Sequence, residues 1–240
     1  MNIAIIFAGG VGKRMNSTTI PKQFLKLHGK EIIIYTLEKF NDSTLIDSII
    51  VACYEPWIPY LKKCLFHYGI QKVRSIVPGG KTGQESIYLA LCAAKERVNE
   101  SDIVLVHDGV RPLIDNDTIY KNIECVKKNG SAVTVAPAIE TIIQINGIGN
   151  QVEQIINRSQ CCLARAPQSF YLDELLEAHE HAIKDNRLDF IDSASLMQHY
   201  GKKIFIVDGP VENIKITTPT DFYAFKAYYE AEENSKIFGV

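Results

Sequence analysis

Gly9-Gly10-Val11-Gly12 is followed at once by Lys13 and Arg14, and a third cation stands at Lys22 in the segment Pro21-Lys22-Gln23-Phe24. A strand that opens into a glycine turn exposes backbone N–H groups with no side chains in the way. Such donors beside Lys and Arg suit a polyphosphate, and a nucleotide is the natural ligand. Two common phosphate motifs do not describe the run. A Walker A loop needs four residues between its glycines and then Gly-Lys-Ser/Thr. The dinucleotide fingerprint Gly-x-Gly-x-x-Gly has its first half in Gly10-Val11-Gly12, but its third position falls on Met15.

Three further segments carry chemistry. In His107-Asp108-Gly109-Val110-Arg111-Pro112, Asp108 ends an apolar strand. A carboxylate beside a phosphate site holds Mg²⁺ or caps a turn. Arg111 is placed to contact an anionic substrate or to pair with Asp108, and His107 reads as a packed polar residue. Pro78-Gly79-Gly80-Lys81-Thr82-Gly83-Gln84-Glu85-Ser86 is a second glycine loop leading into a helix, with Ser86 on its first turn. Lys215, in a strand-like Ile-Lys-Ile run, is either an exposed charge or a point charge in a cleft. Neither Gly-x-Ser-x-Gly nor His-x-x-x-His occurs. Cations and an Asp without an evident nucleophile point to phosphoryl or nucleotidyl transfer by positioning and charge neutralisation.

Alternating strands and helices must hold these segments. Strands are expected over 3–8, 46–53, 72–77, 103–107, 131–136 and 203–207. Helices are expected near 32–40, 57–68, 84–96, 116–129, 173–184 and 193–200, with a last helix from about 220. Strands spaced by helices imply right-handed crossovers and a mostly parallel sheet, an α/β Rossmann-like fold flanked by helices. Ligands of such sheets bind beyond the carboxyl ends of the strands, where Gly9–Arg14, Pro78–Gly83 and Asp108–Pro112 all fall. Residues 139–160 break the rhythm. Thr141–Ile145 and Gln151–Ile156 around Gly147-Ile148-Gly149-Asn150 read as a β-hairpin. A two-stranded arm with no helix to cover it is marginal alone, and a second subunit is the simplest cover.

Composition narrows the setting. The chain has 240 residues, 26 Lys+Arg against 28 Asp+Glu and a formal charge of −2, which argues against nucleic acid or an anionic membrane as partner. Its length supports one substantial core. The six cysteines form no Cys-x-x-Cys pair, which argues against structural zinc and suits the reducing cytoplasm. No apolar stretch approaches the roughly 20 residues that span a bilayer. The first residues enter a strand directly and do not read as a signal peptide.

Ala8-Gly9-Gly10-Val11-Gly12-Lys13-Arg14-Met15 with Pro21-Lys22-Gln23-Phe24, then His107–Pro112, Ala166-Pro167-Gln168-Ser169-Phe170 and Asn213-Ile214-Lys215-Ile216-Thr217, resemble in order the cytidylyltransferases that act on polyol phosphates. The likeness extends from residue 3 to residue 222. It implies one nucleotidyltransferase domain over 1–240 with 139–160 as a dimer arm. It implies CTP, a polyol phosphate and Mg²⁺ as reactants and cofactor. By position, Ala8, Gly9, Gly10, Gly12 and Arg14 would line the triphosphate, with Lys22 on its charge. Gly80 and Ser86 would lie at the cytidine, Asp108 at the metal and reacting phosphates, and Lys215 at the α-phosphate. Arg14, Lys22 and Lys215 would be catalytic. Arg111 would face the acceptor, while Thr141 and Arg158 would reach the neighbouring subunit's acceptor across a homodimer. Members acting on 2-C-methyl-D-erythritol 4-phosphate usually carry Thr and Glu where this chain has Ile191 and Met197. Glu55-Pro56-Trp57-Ile58, the second glycine loop and the Glu212–Pro219 stretch favour ribitol 5-phosphate. A separate ribulose-5-phosphate reductase is then the expected metabolic neighbour.

Overall fold

The computed structural model describes residues 1–10, 20–95, 101–147 and 149–238, with side chains through 235. Gly12 and Arg14 lie outside the described residues. Seven strands form the main sheet: β1 (Asn2–Ala8), β4 (Ser48–Cys53), β5 (Val73–Pro78), β6 (Ile103–Asp108), β7 (Ser131–Pro137), β10 (Cys162–Tyr171) and β11 (Ile206–Asp208). Their spatial order is β11-β7-β10-β6-β1-β4-β5. All run parallel except β10, which pairs antiparallel with both β6 and β7. After β1 the chain builds outward through β4 and β5, then returns to place β6 on the other side of β1. That reversal is the point where doubly wound sheets open a ligand crevice.

Strand alternation sorts the core into two layers. Ala4 and Ile6 of β1, Ile49 and Val51 of β4 and Leu105 of β6 face one layer, completed by α1 (Ile32–Asp42), α2 (Ile58–His67) and α4 (Asn116–Asn129). Ile3 and Ile5, Ile50 and Ala52, Val104 and Val106 face the other, under α3 (Gly83–Lys95), α5 (Leu172–Lys184) and α6 (Ser193–His199). The last helix, α7 (Pro219–Phe238), sets Phe225 against Tyr35 and Ile216 in a third cluster. Local chemistry fixes the helix starts. Asp115 accepts the Thr118 N–H at 2.7 Å, and Asp192 with Ser195 forms a capping box.

The hairpin is present, as β8 (Ile142–Ile145) against β9 (Val152–Ile156). It leaves the sheet from the carboxyl end of β7 and returns through the start of β10. Antiparallel β10 therefore begins at the rim where the parallel strands end. Ile139 and Ile155 of this region are 69% and 68% exposed. A small pair, β2 (Lys26–Leu27) with β3 (Lys30–Glu31), lies between the first loop and α1.

Two expectations need correction. Residues 162–171 form a strand that the helix–strand rhythm does not announce, because an antiparallel strand entered from a hairpin needs no crossover helix. The Ile214-Lys215-Ile216 run is not a strand. It is an extended connection whose Ile216 N–H donates to Val110 O at 3.0 Å.

Candidate active site

The rim expected from the strand ends exists, and close backbone packing builds it. The glycine loops after β1 and β5 touch: a Cβ on Gly79 would stand 2.7 Å from the Gly9 Cα. Only glycines allow that approach. The Gly79 N–H donates to Cys53 O at 2.7 Å, tying the second loop to the end of β4. Ser86 is buried and braces this loop. Its hydroxyl accepts the Gly80 N–H at 3.0 Å and donates to Thr82 O at 2.8 Å. Buried Gln23 does the same for the first loop, donating to Ala8 O at 2.7 Å and Gly10 O at 3.1 Å. The Pro-Lys-Gln segment thus has two parts to play. Gln23 fixes the loop, and Lys22 beside it lines the cleft.

That cleft has a volume of about 710 Å³ and is lined by Ala8, Gly9, Gly10, Lys22, Gly80, Ser86, Asp108 and Lys215 among others. Every described residue expected at the nucleotide is in its wall. A smaller chamber of about 290 Å³ adjoins it, sharing Phe7, Gly83, Asp108 and Lys215. Arg111 lines this second space and not the first. Thr141 and Arg158 line neither. They are exposed on the arm, where Arg158 donates to Ile139 O at 2.7 Å.

Strand parity decides which way the β6 terminus faces. His107 falls on the α1 side, fully buried, edge-on to Phe40 and 3.0 Å from Arg111 O. Burial lowers its pKa to about 4. Asp108, one residue on, falls on the α3 side at the wall between the two spaces. Its Oδ1 lies 2.6 Å from Lys215 Nζ and its Oδ2 accepts from Arg111 Nε at 2.7 Å. Burial alone would raise this carboxyl, but the Lys215 and Arg111 charges outweigh it and hold the pKa at about 2. Arg111 therefore pairs with Asp108, and also donates to Asn213 O at 2.8 Å. Fully buried Asn213 donates to Ala166 O at 2.7 Å. With Ile216 bound to Val110, it pins both ends of the segment that carries Lys215.

Sequence reasoning missed the bracing roles of Gln23 and Asn213, although both stand inside motifs it singled out. It also missed Arg165, which immediately precedes Ala166-Pro167-Gln168 and lines the second chamber.

A metal has limited but suitable purchase here. No cluster of three or more His, Cys, Asp or Glu is found among the described residues. Mg²⁺ commonly takes one or two carboxylates and completes its shell with substrate phosphates and water. A single rim carboxylate facing a polyphosphate-sized cleft fits that habit. Both Asp108 oxygens are already engaged, so an ion there competes with Lys215 for Oδ1.

Fold and site together define a doubly wound α/β protein whose cleft, walled by two glycine loops with Lys22, Asp108 and Lys215, suits a nucleoside triphosphate. Residues 2–231 match IspD, described as 2-C-methyl-D-erythritol 4-phosphate cytidylyltransferase, and the chain belongs to this family of nucleotidyltransferases. It is 52% identical over the full length of both chains to a ribitol-5-phosphate cytidylyltransferase of Vibrio parahaemolyticus. It is 46% identical, again over full lengths, to one of Streptococcus agalactiae. A 2-C-methyl-D-erythritol 4-phosphate cytidylyltransferase of Clostridium novyi is 39% identical over 92% of this chain and 93% of its own. Among solved structures, the 2-C-methyl-D-erythritol 4-phosphate cytidylyltransferase of Francisella tularensis superposes with a TM-score of 0.78 at 31% identity, covering 95% of this chain and 99% of that one.

Proposed function

We propose that this chain transfers CMP from CTP to ribitol 5-phosphate, giving CDP-ribitol and pyrophosphate. The observation that carries the transfer chemistry is Lys215 on Asp108 at the wall shared by a triphosphate-sized cleft and a second chamber. The full-length likeness to ribitol-5-phosphate enzymes supports the acceptor over methylerythritol phosphate.

In this reading Gly9, Gly10 and Gly80 present backbone to the nucleotide, and Ala8 and Ser86 hold the loops that do so. The acceptor phosphate oxygen attacks the α-phosphorus in line. The new P–O bond forms as the bond from the α-phosphorus to the bridging oxygen breaks, and that electron pair leaves with pyrophosphate. Lys22 and Lys215, with Arg14 as a further cation of the same motif, offset the charge that builds on the α-phosphate and leaving group. Asp108 holds Lys215 in place. Mg²⁺ would be held by Asp108 together with the nucleotide phosphates and would supply further charge neutralisation.

The exposed apolar arm over 139–160 supports a homodimer in which Thr141 and Arg158 meet the partner's acceptor. No described helix is long and apolar enough to cross a membrane. The cysteine thiols are free, which suits the cytoplasm. A ketopentose-phosphate reductase would supply the acceptor. The deciding experiment is pyrophosphate release with CTP, UTP or ATP crossed against ribitol 5-phosphate and 2-C-methyl-D-erythritol 4-phosphate. CTP with ribitol 5-phosphate should give the highest kcat/KM. Turnover only with UTP and a hexose 1-phosphate would overturn the reading.

A further inference from the structure

The second chamber holds polar groups that the triphosphate cleft does not use. Among the described residues, six buried side-chain polar atoms lack a hydrogen-bond partner. Three of them, Arg165 Nε, His179 Nε2 and Ser193 Oγ, belong to side chains lining this one chamber. Folded proteins leave few such groups unpaired, and a cluster around a single cavity calls for an explanation. The other polar lining is already satisfied. Gln168 donates to Asp192 Oδ2 at 2.8 Å and accepts the Ala194 N–H at 2.9 Å, while Arg111 is taken by Asp108 and Asn213.

The backbone explains how Arg165 comes to be there. Strand β10 loses register with β7 between Ala164 and Gln168, opposite Val135 and Val133, so extra residues bulge out at this point. Bulges re-aim side chains, and they gather near active sites. Arg165 makes no ion pair among the described residues, and both burial and the nearby Arg111 charge oppose its own. A guanidinium in that position is poised for an electron-rich partner that arrives from outside.

Size and connection narrow the partner. At about 290 Å³ the chamber is at the small end of ligand pockets, the scale of a short polyol and not of a nucleotide. The chamber meets the cleft at Asp108 and Lys215, where the acceptor phosphate must stand to reach the α-phosphorus. The rest of the acceptor then has this space to enter.

We propose that Arg165 is an acceptor-binding residue and that, with Ser193 and the His179 floor, it selects the polyol by its hydroxylated chain. This rests on the transferase reading above. The Arg165 guanidinium donates through its terminal nitrogens to an acceptor oxygen. Ser193 turns its hydroxyl to a chain hydroxyl, and the unpaired His179 nitrogen keeps the floor polar. Phe190 and Ile191, which also line the chamber, offer apolar surface to the carbon backbone.

The test uses the full chain and three variants, Arg165→Leu, Arg165→Lys and Ser193→Ala. KM and kcat are measured for ribitol 5-phosphate and for the shorter erythritol 4-phosphate, and CTP affinity by calorimetry. Arg165→Leu should raise the ribitol 5-phosphate KM by about 10- to 100-fold, the loss of one charged hydrogen bond, with CTP affinity within about twofold. Ser193→Ala should raise it by about 3- to 10-fold. Arg165→Lys should recover part of the Arg165→Leu loss. The preference for the five-carbon over the four-carbon acceptor should shrink in Arg165→Leu, which a merely structural role would not produce. Intact CTP binding reports a folded protein, and should Arg165→Leu fail to fold, Ser193→Ala decides. An unchanged acceptor KM, or an unchanged preference between the two acceptors, overturns the inference while leaving the transferase reading intact. Absence of pyrophosphate release by the unmutated chain with either acceptor would instead overturn the transferase reading.

Discussion

Replacing Lys215 by Met removes the ammonium, which lies 2.6 Å from Asp108 Oδ1 and 5.6 Å from the centre of the Phe7 ring, and keeps most of the apolar stem. The cost can be worked from the pair. Asp108 sits at about 2 against an ordinary 3.8. That depression of nearly two units is worth about 2 kcal/mol at roughly 1.4 kcal/mol per unit. Lys215 and Arg111 share it, and the Lys215 side chain is 39% exposed, so solvent screens its part. On the order of 1 kcal/mol of stability at pH 7 should therefore be lost. The sign follows from a folded pKa below the unfolded one. The stabilisation is present above about pH 4 and fades as pH falls through 2. Urea denaturation from pH 7 to pH 3 should show the gap between wild type and Lys215→Met constant down to about pH 5 and narrowing below pH 4. In kinetics, a charge that acts mainly in the transition state should cost about 10²–10³ in kcat. A stability gap that stays constant to pH 3 would assign the loss to packing and refute the electrostatic account. A variant that alters only the CTP KM would refute the transition-state role.

Gly79→Ala forces a Cβ to 2.7 Å from the Gly9 Cα, so the two loops must separate. Overpacking of this kind costs about 1–3 kcal/mol, visible as a lower Tm together with a raised CTP KM. Gln23→Ala leaves the buried Ala8 carbonyl without its side-chain donor and should destabilise by about 1–3 kcal/mol, read by urea denaturation. His107 and His179 are both lowered to about 4 by burial, so each is neutral in the fold and charged once unfolded below about pH 6.5. Stability present above pH 6.5 should fall by about 1.4 kcal/mol per pH unit for each as pH drops toward 4. A flat profile between pH 6.5 and 5 would contradict their burial as neutral rings. Arg158→Ala should raise the acceptor KM with CTP binding near normal, and light scattering should report a dimer for the unmutated chain. Unchanged acceptor kinetics would remove the arm from the site.

Much of the architecture is written in local patterns. Apolar runs ending in Gly9-Gly10, Pro78-Gly79 and Asp108-Gly109 announce strands that stop at a common rim, because right-handed crossovers leave parallel strands little other choice. Helix 116–129 was readable to its ends, since Asp115 and Gly130 are strong caps. The hairpin was readable from its turn residues. Antiparallel β10 was not, because pairing partners far apart in sequence leave no periodic trace. Lys215 reads as part of a strand by alternation, yet Asn213 and Ile216 hold it as an extended connection through contacts to Ala166 and Val110.

The composition and motif order by themselves determined a nucleotide-binding α/β chain with a cation-rich glycine loop, since turn chemistry and strand alternation act over a few residues. Tertiary structure alone decided the rest. It set Asp108 on the α3 side and His107 on the other, clamped Asp108 between Lys215 and Arg111, and turned Arg165 into a chamber beside them. Those outcomes depend on residues as much as 107 positions apart meeting across the sheet, and no local pattern encodes which distant partner a charge will find.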